Sequence, residues 1–132
     1  MRVWLADWEW QCCGEPFAVG DDVEWILVEA DDAARASFGK TLGPEIGQSI
    51  THWETHHQDD DEERLAATRA CVESITAVYW RYAPRTGADE RVLHPVAGTG
   101  VFEPRTGADG WEPESDAGPS FAGYIVDLSP PS

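Results

Sequence analysis

Asparagine is absent from this sequence and lysine occurs once, at Lys40, so that nine basic residues face 25 acidic ones for a net charge of −16. A chain so poor in cations repels phosphate backbones and anionic lipid. That excludes binding of nucleic acid or a membrane surface by charge neutralisation. Cysteine is scarce too, with three residues, of which Cys12 and Cys13 are adjacent. Neighbouring Cα atoms lie about 3.8 Å apart, less than a disulfide normally spans, so Cys71 has at most one of them as a partner. An odd count with a vicinal pair fits reduced thiols in a cytosol and not a secreted disulfide framework. Long apolar runs are missing, and Asp7 and Glu9 break the stretch Val3-Trp4-Leu5-Ala6 before it becomes a signal-peptide core. The expectation is a cytoplasmic protein with no membrane partner and no nucleic-acid partner.

What is present is tryptophan, seven of them in 132 residues, within a hydrophobic fraction of 42%. This length and apolar content support one domain with its own core, without disulfides or a structural metal. We place that domain over residues 1–128 and expect the tail 129–132 to fray.

The chain reads as mainly β. Trp4, Ala6, Trp8 and Trp10 alternate with polar Asp7 and Glu9, which predicts a half-buried strand over residues 3–10. Gly20-Asp21 predicts a turn, and beyond it Val23, Trp25 and Leu27 share a strand face, with Ile26 and Val28 opposite. Asp31 or Asp32 is placed to cap a short helix that carries Ala34 and Phe38 inward and stops at Gly39. Gly43-Pro44 and Gly47 then read as loop. A polar strand is expected over residues 50–57. Residues 64–82 fit either a helical stripe or a strand. The β-branched and aromatic content favours a strand over about 70–82. Short strands follow at 92–96, where Pro95 argues for an edge, at 101–102, and finally at 121–128, with Tyr124, Val126 and Leu128 on one face. Pro-Arg-Thr-Gly-Ala-Asp occurs twice, at 84–89 and 104–109, and reads as two similar turns. The sum is a small β-barrel or rolled sheet of five to seven short strands with one short helix, mainly β in an α+β setting.

The sequence offers residues for four kinds of site. Metal is one: Cys12, Cys13, His56 and His57 are the best ligand candidates, with His52, Cys71 and His94 of the right type elsewhere. The spacings match no zinc motif. His52 and His56 on a strand would stand about 13 Å apart, too far to share one ion. The run from Asp59 to Glu63 lacks the glycine and alternation of a calcium loop. Nucleophilic catalysis is the second: Cys12 or Cys13 beside a histidine would suit it, but an acidic surrounding raises a thiol pKa and works against it. The third, a pair of carboxylates for acid–base work, is marked by no spacing here. The fourth is an aromatic platform at Trp8 and Trp10, against which stands plain core packing of the same residues. No catalytic residue is assigned and no cofactor is expected.

The segment 8–25, Trp-Glu-Trp-Gln-Cys-Cys-Gly-Glu-Pro-Phe-Ala-Val-Gly-Asp-Asp-Val-Glu-Trp, resembles the opening of a family of uncharacterised small acidic proteins from actinobacteria. Residues 78–84, 94–96 and 121–124 are similar in order. Asp59 to Glu63 does not match the pattern. The resemblance implies a bacterial cytoplasmic domain and carries no activity, cofactor or site residue with it. The absence of asparagine and near absence of lysine are compatible with a GC-rich genome.

Function is therefore expected to be non-enzymatic: a small acidic module acting through protein–protein contacts, with Trp8, Trp10, Cys12 and Cys13 as binding candidates. Two alternatives stand beside it. One is a metal-dependent or thiol enzyme built on Cys12, Cys13 and a histidine. The other is an acidic mimic or immunity-type inhibitor of a basic partner. The acid excess also serves solubility or a salty cytoplasm.

Overall fold

The structure, a computed structural model, describes residues 1–7, 10–11, 14–55, 66–83, 94–96, 100–112 and 119–131, with the side chains of 94 and 95 set aside. Ten strands and two helices are defined in it: β1 (Arg2–Ala6), β2 (Phe17–Ala18), β3 (Asp22–Glu29), α1 (Asp32–Leu42), α2 (Pro44–Ser49), β4 (His52–Glu54), β5 (Ala67–Trp80), β6 (Tyr82–Ala83), β7 (His94–Pro95), β8 (Val101–Arg105), β9 (Gly107–Ala108) and β10 (Ser120–Ser129). Six strands form one sheet in the order β10-β1-β4-β3-β5-β8, and β10 also pairs with β5. Following the partners from β10 through β1, β4, β3 and β5 leads back to β10. The sheet is thus rolled into a ring. Among the described residues no helix is long and apolar enough to cross a membrane.

Both sides of this sheet are covered, and alternation along the strands decides which residue goes where. Val3 and Leu5 of β1 belong to the cluster inside the roll, with Trp25, Val72, Ile75, Tyr124, Val126 and Leu128. Trp4, Val78, Ala122 and Ile125 point the other way and pack under Phe38, Leu42, Ile46 and Ile50 of the helical layer. Each long strand changes parity once. On β5 the inward residues are Ala70 and Val72, then Ile75, Ala77 and Tyr79. The switch lies at Glu73, where pairing with β10 skips from Ser74↔Asp127 to Val72↔Leu128. On β10 it lies at Ala122, between Phe121↔Tyr79 and Gly123↔Val78. A β-bulge adds one residue on one strand and turns its continuation over, which keeps both halves of a bent strand facing the same core.

Several expectations hold. The strand expected over 70–82 is present as Ala67–Trp80, starting earlier and ending two residues sooner, with Tyr82 in the separate strand β6, and the last strand runs from Ser120 to Ser129. The Gly20 turn is present, with Gly20 at φ 94°, a conformation that favours glycine. Asp31 caps α1, its carboxylate accepting the Ala34 N–H at 2.8 Å. Pro95 sits in the two-stranded β6–β7 ribbon. The strand expected at 101–102 runs on to Arg105, and Pro104, read from sequence as part of a turn, is tolerated in it because β8 is an edge.

Others need correction. The first strand stops at Ala6, and Asp7, Trp10 and Gln11 are helical. The reason is that Trp4 belongs to the outer layer while Val3 and Leu5 fill the roll, so the period-two row of tryptophans is not one buried face. Helix α1 does not stop at Gly39. It continues to Leu42 and is capped by Gly43 at φ 97°. The expected loop at 44–49 is a second helix, α2, opened by Pro44, so the described residues 32–49 hold two helices where one was expected. Gly47 instead lets α2 touch α1: a Cβ there would collide with the backbone N of Gly39. Of the strand expected at 50–57, the described residues 50–55 hold His52–Glu54, and His56 and His57 lie outside the described residues.

Candidate functional site

The bottom of the site is an aromatic cluster inside the roll. Trp10, Phe17 and Trp25 meet edge to face, with ring centroids 5.0 to 5.4 Å apart. Such geometry brings the positive ring edge to the negative face. Local sequence sets these positions. The helical turn at Trp10 is held by Gly14, whose N–H donates to the Trp10 carbonyl at 2.9 Å. A Cβ on Gly14 would collide with the Trp10 indole. β2 pairs with β9, matching Phe17 to Ala108, and both side chains are buried. The Gly20 turn docks on β5 through Gly20 N–H to Val72 O at 2.8 Å and Val72 N–H to Asp21 O at 2.9 Å.

Two clefts open on either side of Pro16 and Phe17. The first, about 460 Å³, has Trp10, Phe17 and Trp25 among its walls and the carboxylates of Glu15, Asp21, Asp22 and Glu24 around it. The second, about 400 Å³, lies along Arg105, Asp109, Trp111 and Glu112. Trp111 is 67% exposed, the most exposed of the large apolar side chains described.

A polar network fixes the loop that carries Trp111. Tyr124, fully buried, donates its hydroxyl to Glu112 Oε1 at 2.8 Å and accepts the Gly110 N–H at 3.2 Å. Glu112 Oε2 accepts from Arg105 Nε at 3.1 Å, and Arg105 also donates to Glu103 at 2.8 Å and to the Tyr79 hydroxyl at 3.4 Å. Gln11 donates to the Gly110 carbonyl at 2.9 Å, and Asp109 accepts the Trp111 N–H at 2.8 Å. Burial, then the hydrogen bond to Glu112, pushes the Tyr124 phenol far above its ordinary value. The hydrogen bonds from Arg105 to Glu103 and Glu112 push the guanidinium still higher. Tyr124 is therefore a neutral donor and Arg105 a fixed cation, which suits them to hold a loop and not to move protons near neutrality.

Of the residues singled out from sequence, Trp10 lies in the aromatic cluster with 3% of its surface exposed. Trp8, Cys12, Cys13, His56 and His57 lie outside the described residues, as does the first copy of the Pro-Arg-Thr-Gly-Ala-Asp repeat. In the second copy Pro104 and Arg105 end β8, Thr106 bends, and Gly107-Ala108 form β9. His52 and Cys71 are described and do not meet. His52 pairs with Glu29 and Cys71 with Asp22, at the two ends of β3, roughly 20 Å apart. Among the described residues no group of three or more His, Cys, Asp or Glu side chains is arranged to hold a metal ion. Trp111, Arg105, Glu112 and Tyr124 were not identified from sequence. The one available signal was Trp111 itself, flanked by the turn residues Asp109 and Gly110 and therefore off any strand face.

The class that the fold defines is a small, mainly β protein whose six-stranded sheet closes on itself beside an acid-rimmed cleft. The comparisons give the family: residues 1–130 match a family of unknown function, DUF6578, and the chain belongs to it. No curated protein and no solved structure matches this chain.

Proposed function

We propose that this protein is a non-enzymatic acidic binding module of the bacterial cytoplasm that acts through protein–protein contacts, taking a basic segment of its partner into the paired clefts around Phe17. The observation that carries this reading is the combination of four carboxylates around an aromatic-walled cleft with the exposed Trp111 beside the neighbouring one. An arginine or lysine of the partner gains carboxylate contacts in the first cleft, while Trp111 supplies a large, rigid contact in the second. The net charge of −16 steers a basic partner toward the molecule over a distance. A DNA-mimicking or immunity-type inhibitor would be a special case of this reading.

The test titrates an arginine-rich peptide into the intact protein and follows tryptophan fluorescence at several salt concentrations. Affinity should fall steeply with salt. Trp111→Ala should weaken binding about tenfold, and Glu15→Gln with Glu24→Gln should lower both affinity and salt slope. Binding that ignores all three substitutions would reflect general attraction to the acidic surface and defeat the cleft reading.

A further inference from the structure

Among the described residues, β4 covers only the second half of β3. β5 pairs with residues 22–26 of that strand, whereas β4, on the opposite side, pairs with residues 27–29. Alternation fixes where the backbone groups of the first half point. The Ile26 carbonyl accepts the Thr55 N–H at 3.0 Å and so lies on the β4 side, while the Asp21 carbonyl accepts the Val72 N–H at 2.9 Å and lies on the β5 side. Counting back by two from Ile26, the N–H and C=O of Glu24 face the β4 side past the end of β4, and among the described residues no backbone group meets them there. The first cleft is lined by the consecutive residues Asp21 to Trp25. A groove on one face of a strand takes every second residue, and one that takes a consecutive run lies along the strand's edge. The side chains divide by the same alternation: Asp22 and Glu24 are exposed, while Val23 and Trp25 pack into the roll.

We propose that the partner's basic segment enters this cleft as an extended strand and adds antiparallel to β3, exchanging backbone hydrogen bonds with Glu24 and carrying a basic side chain at every second position. The inference rests on the reading of the cleft given above and names how the segment is held. An open strand edge is a template for another strand, and an added strand takes its affinity from the main chain and its selectivity from alternate side chains. The partner residue opposite Glu24 turns its N–H and C=O to β3 and its side chain to the same face as the Glu24 carboxylate. The residue two places on stands opposite Asp22. Arginine or lysine belongs at both positions. The residue between them faces the side of Val23 and Trp25 and is apolar. A second copy of this chain is a poor occupant, since the carboxylates of β3 would meet a second set of the same charge.

The probe is a peptide of alternating arginine and valine, with two twins of the same charge, one N-methylated on its arginines and the other on its valines. Each is titrated into the intact protein and followed by tryptophan fluorescence, and amide exchange is read by NMR at saturating parent peptide. In the added strand the arginine N–H groups face β3 and the valine N–H groups face away. The arginine-methylated twin should therefore bind about tenfold more weakly than the valine-methylated one, the difference expected for one or two backbone hydrogen bonds. The Glu24 amide should exchange about tenfold more slowly, or slower still, in the complex. If the parent peptide binds and Trp111→Ala weakens it, but the twins bind equally or Glu24 exchange is unchanged, strand addition is overturned and the cleft reading stands. A peptide that does not bind, or whose binding ignores the cleft substitutions, overturns both.

Discussion

The hydroxyl of Tyr124 holds the Trp111 loop, and removing it tests the network directly. Tyr124→Phe keeps the ring packed against Phe121 and Phe17, whose centroids lie 5.0 and 6.2 Å away. The apolar contribution therefore changes little. What is lost is the hydrogen bond to the Glu112 carboxylate, worth about 1.5–3 kcal/mol because the acceptor is charged. The Gly110 N–H, also buried, loses its acceptor, which adds about 1 kcal/mol. The sum is about 3 kcal/mol. With an unfolding entropy of about 0.28 kcal/mol/K for a chain of 132 residues, the melting temperature should drop by about 10 °C. Urea denaturation followed by circular dichroism should give a lower midpoint at an unchanged m-value. A loss below about 1 kcal/mol would refute the claim that this hydroxyl ties down the loop. Pairing the change with Glu112→Gln sharpens the test: the two should be non-additive by about 1 kcal/mol or more, and simple additivity would mean that the groups act separately.

Two further outcomes follow from the packing of β1 on β10. A Cβ at Gly123 would collide with the Leu5 carbonyl and come within 2.9 Å of the Trp4 indole, so Gly123→Ala should cost about 2–3 kcal/mol in denaturant titration. Gly20→Ala, where nothing lies near the added carbon and only the positive φ is at stake, should cost about 1 kcal/mol; equal losses would defeat the steric argument. Across the same strand pair Arg2 grips Asp127 through contacts of 2.8 and 3.3 Å, and Ser74 adds one of 2.9 Å. The hydrogen bond from Arg2 holds the Asp127 carboxyl below its usual range. A lowered folded-state pKa gives stability that is present above the ordinary carboxylate value and lost as pH falls through the lowered one. The parent should exceed Asp127→Asn by about 1 kcal/mol at neutral pH, a modest figure because solvent reaches both side chains, and the gap should close below about pH 4. A gap that is independent of pH would remove the ion pair as its cause.

Legibility from sequence varied with the range of the interactions involved. The strand at 70–82 could be read because its residues are β-branched and aromatic in a run, and that local preference agrees with its place in the sheet. The length of the first strand could not, because Trp4, Ala6, Trp8 and Trp10 imitate a single buried face when both faces of β1 are covered. Gly39 looks like a stop because glycine commonly ends helices, whereas here the helix runs through it to Leu42 and it is Gly47 of the second helix that must be glycine to pack against it. Of the site, Trp10 was found as an aromatic of interest. The Arg105–Glu112–Tyr124 network was not, because its members are brought together by pairing of strands distant in sequence.

Composition and local pattern by themselves determined the class of the molecule: an acidic, mainly β chain with an Asp31-capped helix and a turn at Gly20. These depend on neighbouring residues and on net charge, which need no fold to be counted. Tertiary structure alone decided that the sheet closes on itself from β5 to β10, that bulges at Glu73 and Ala122 turn the two long strands over, and that Trp111 stands in solvent while Trp10 lies inside. Closure and register depend on which distant strands pair. A shift of one residue exchanges the buried face for the exposed one, so no local signal can specify them.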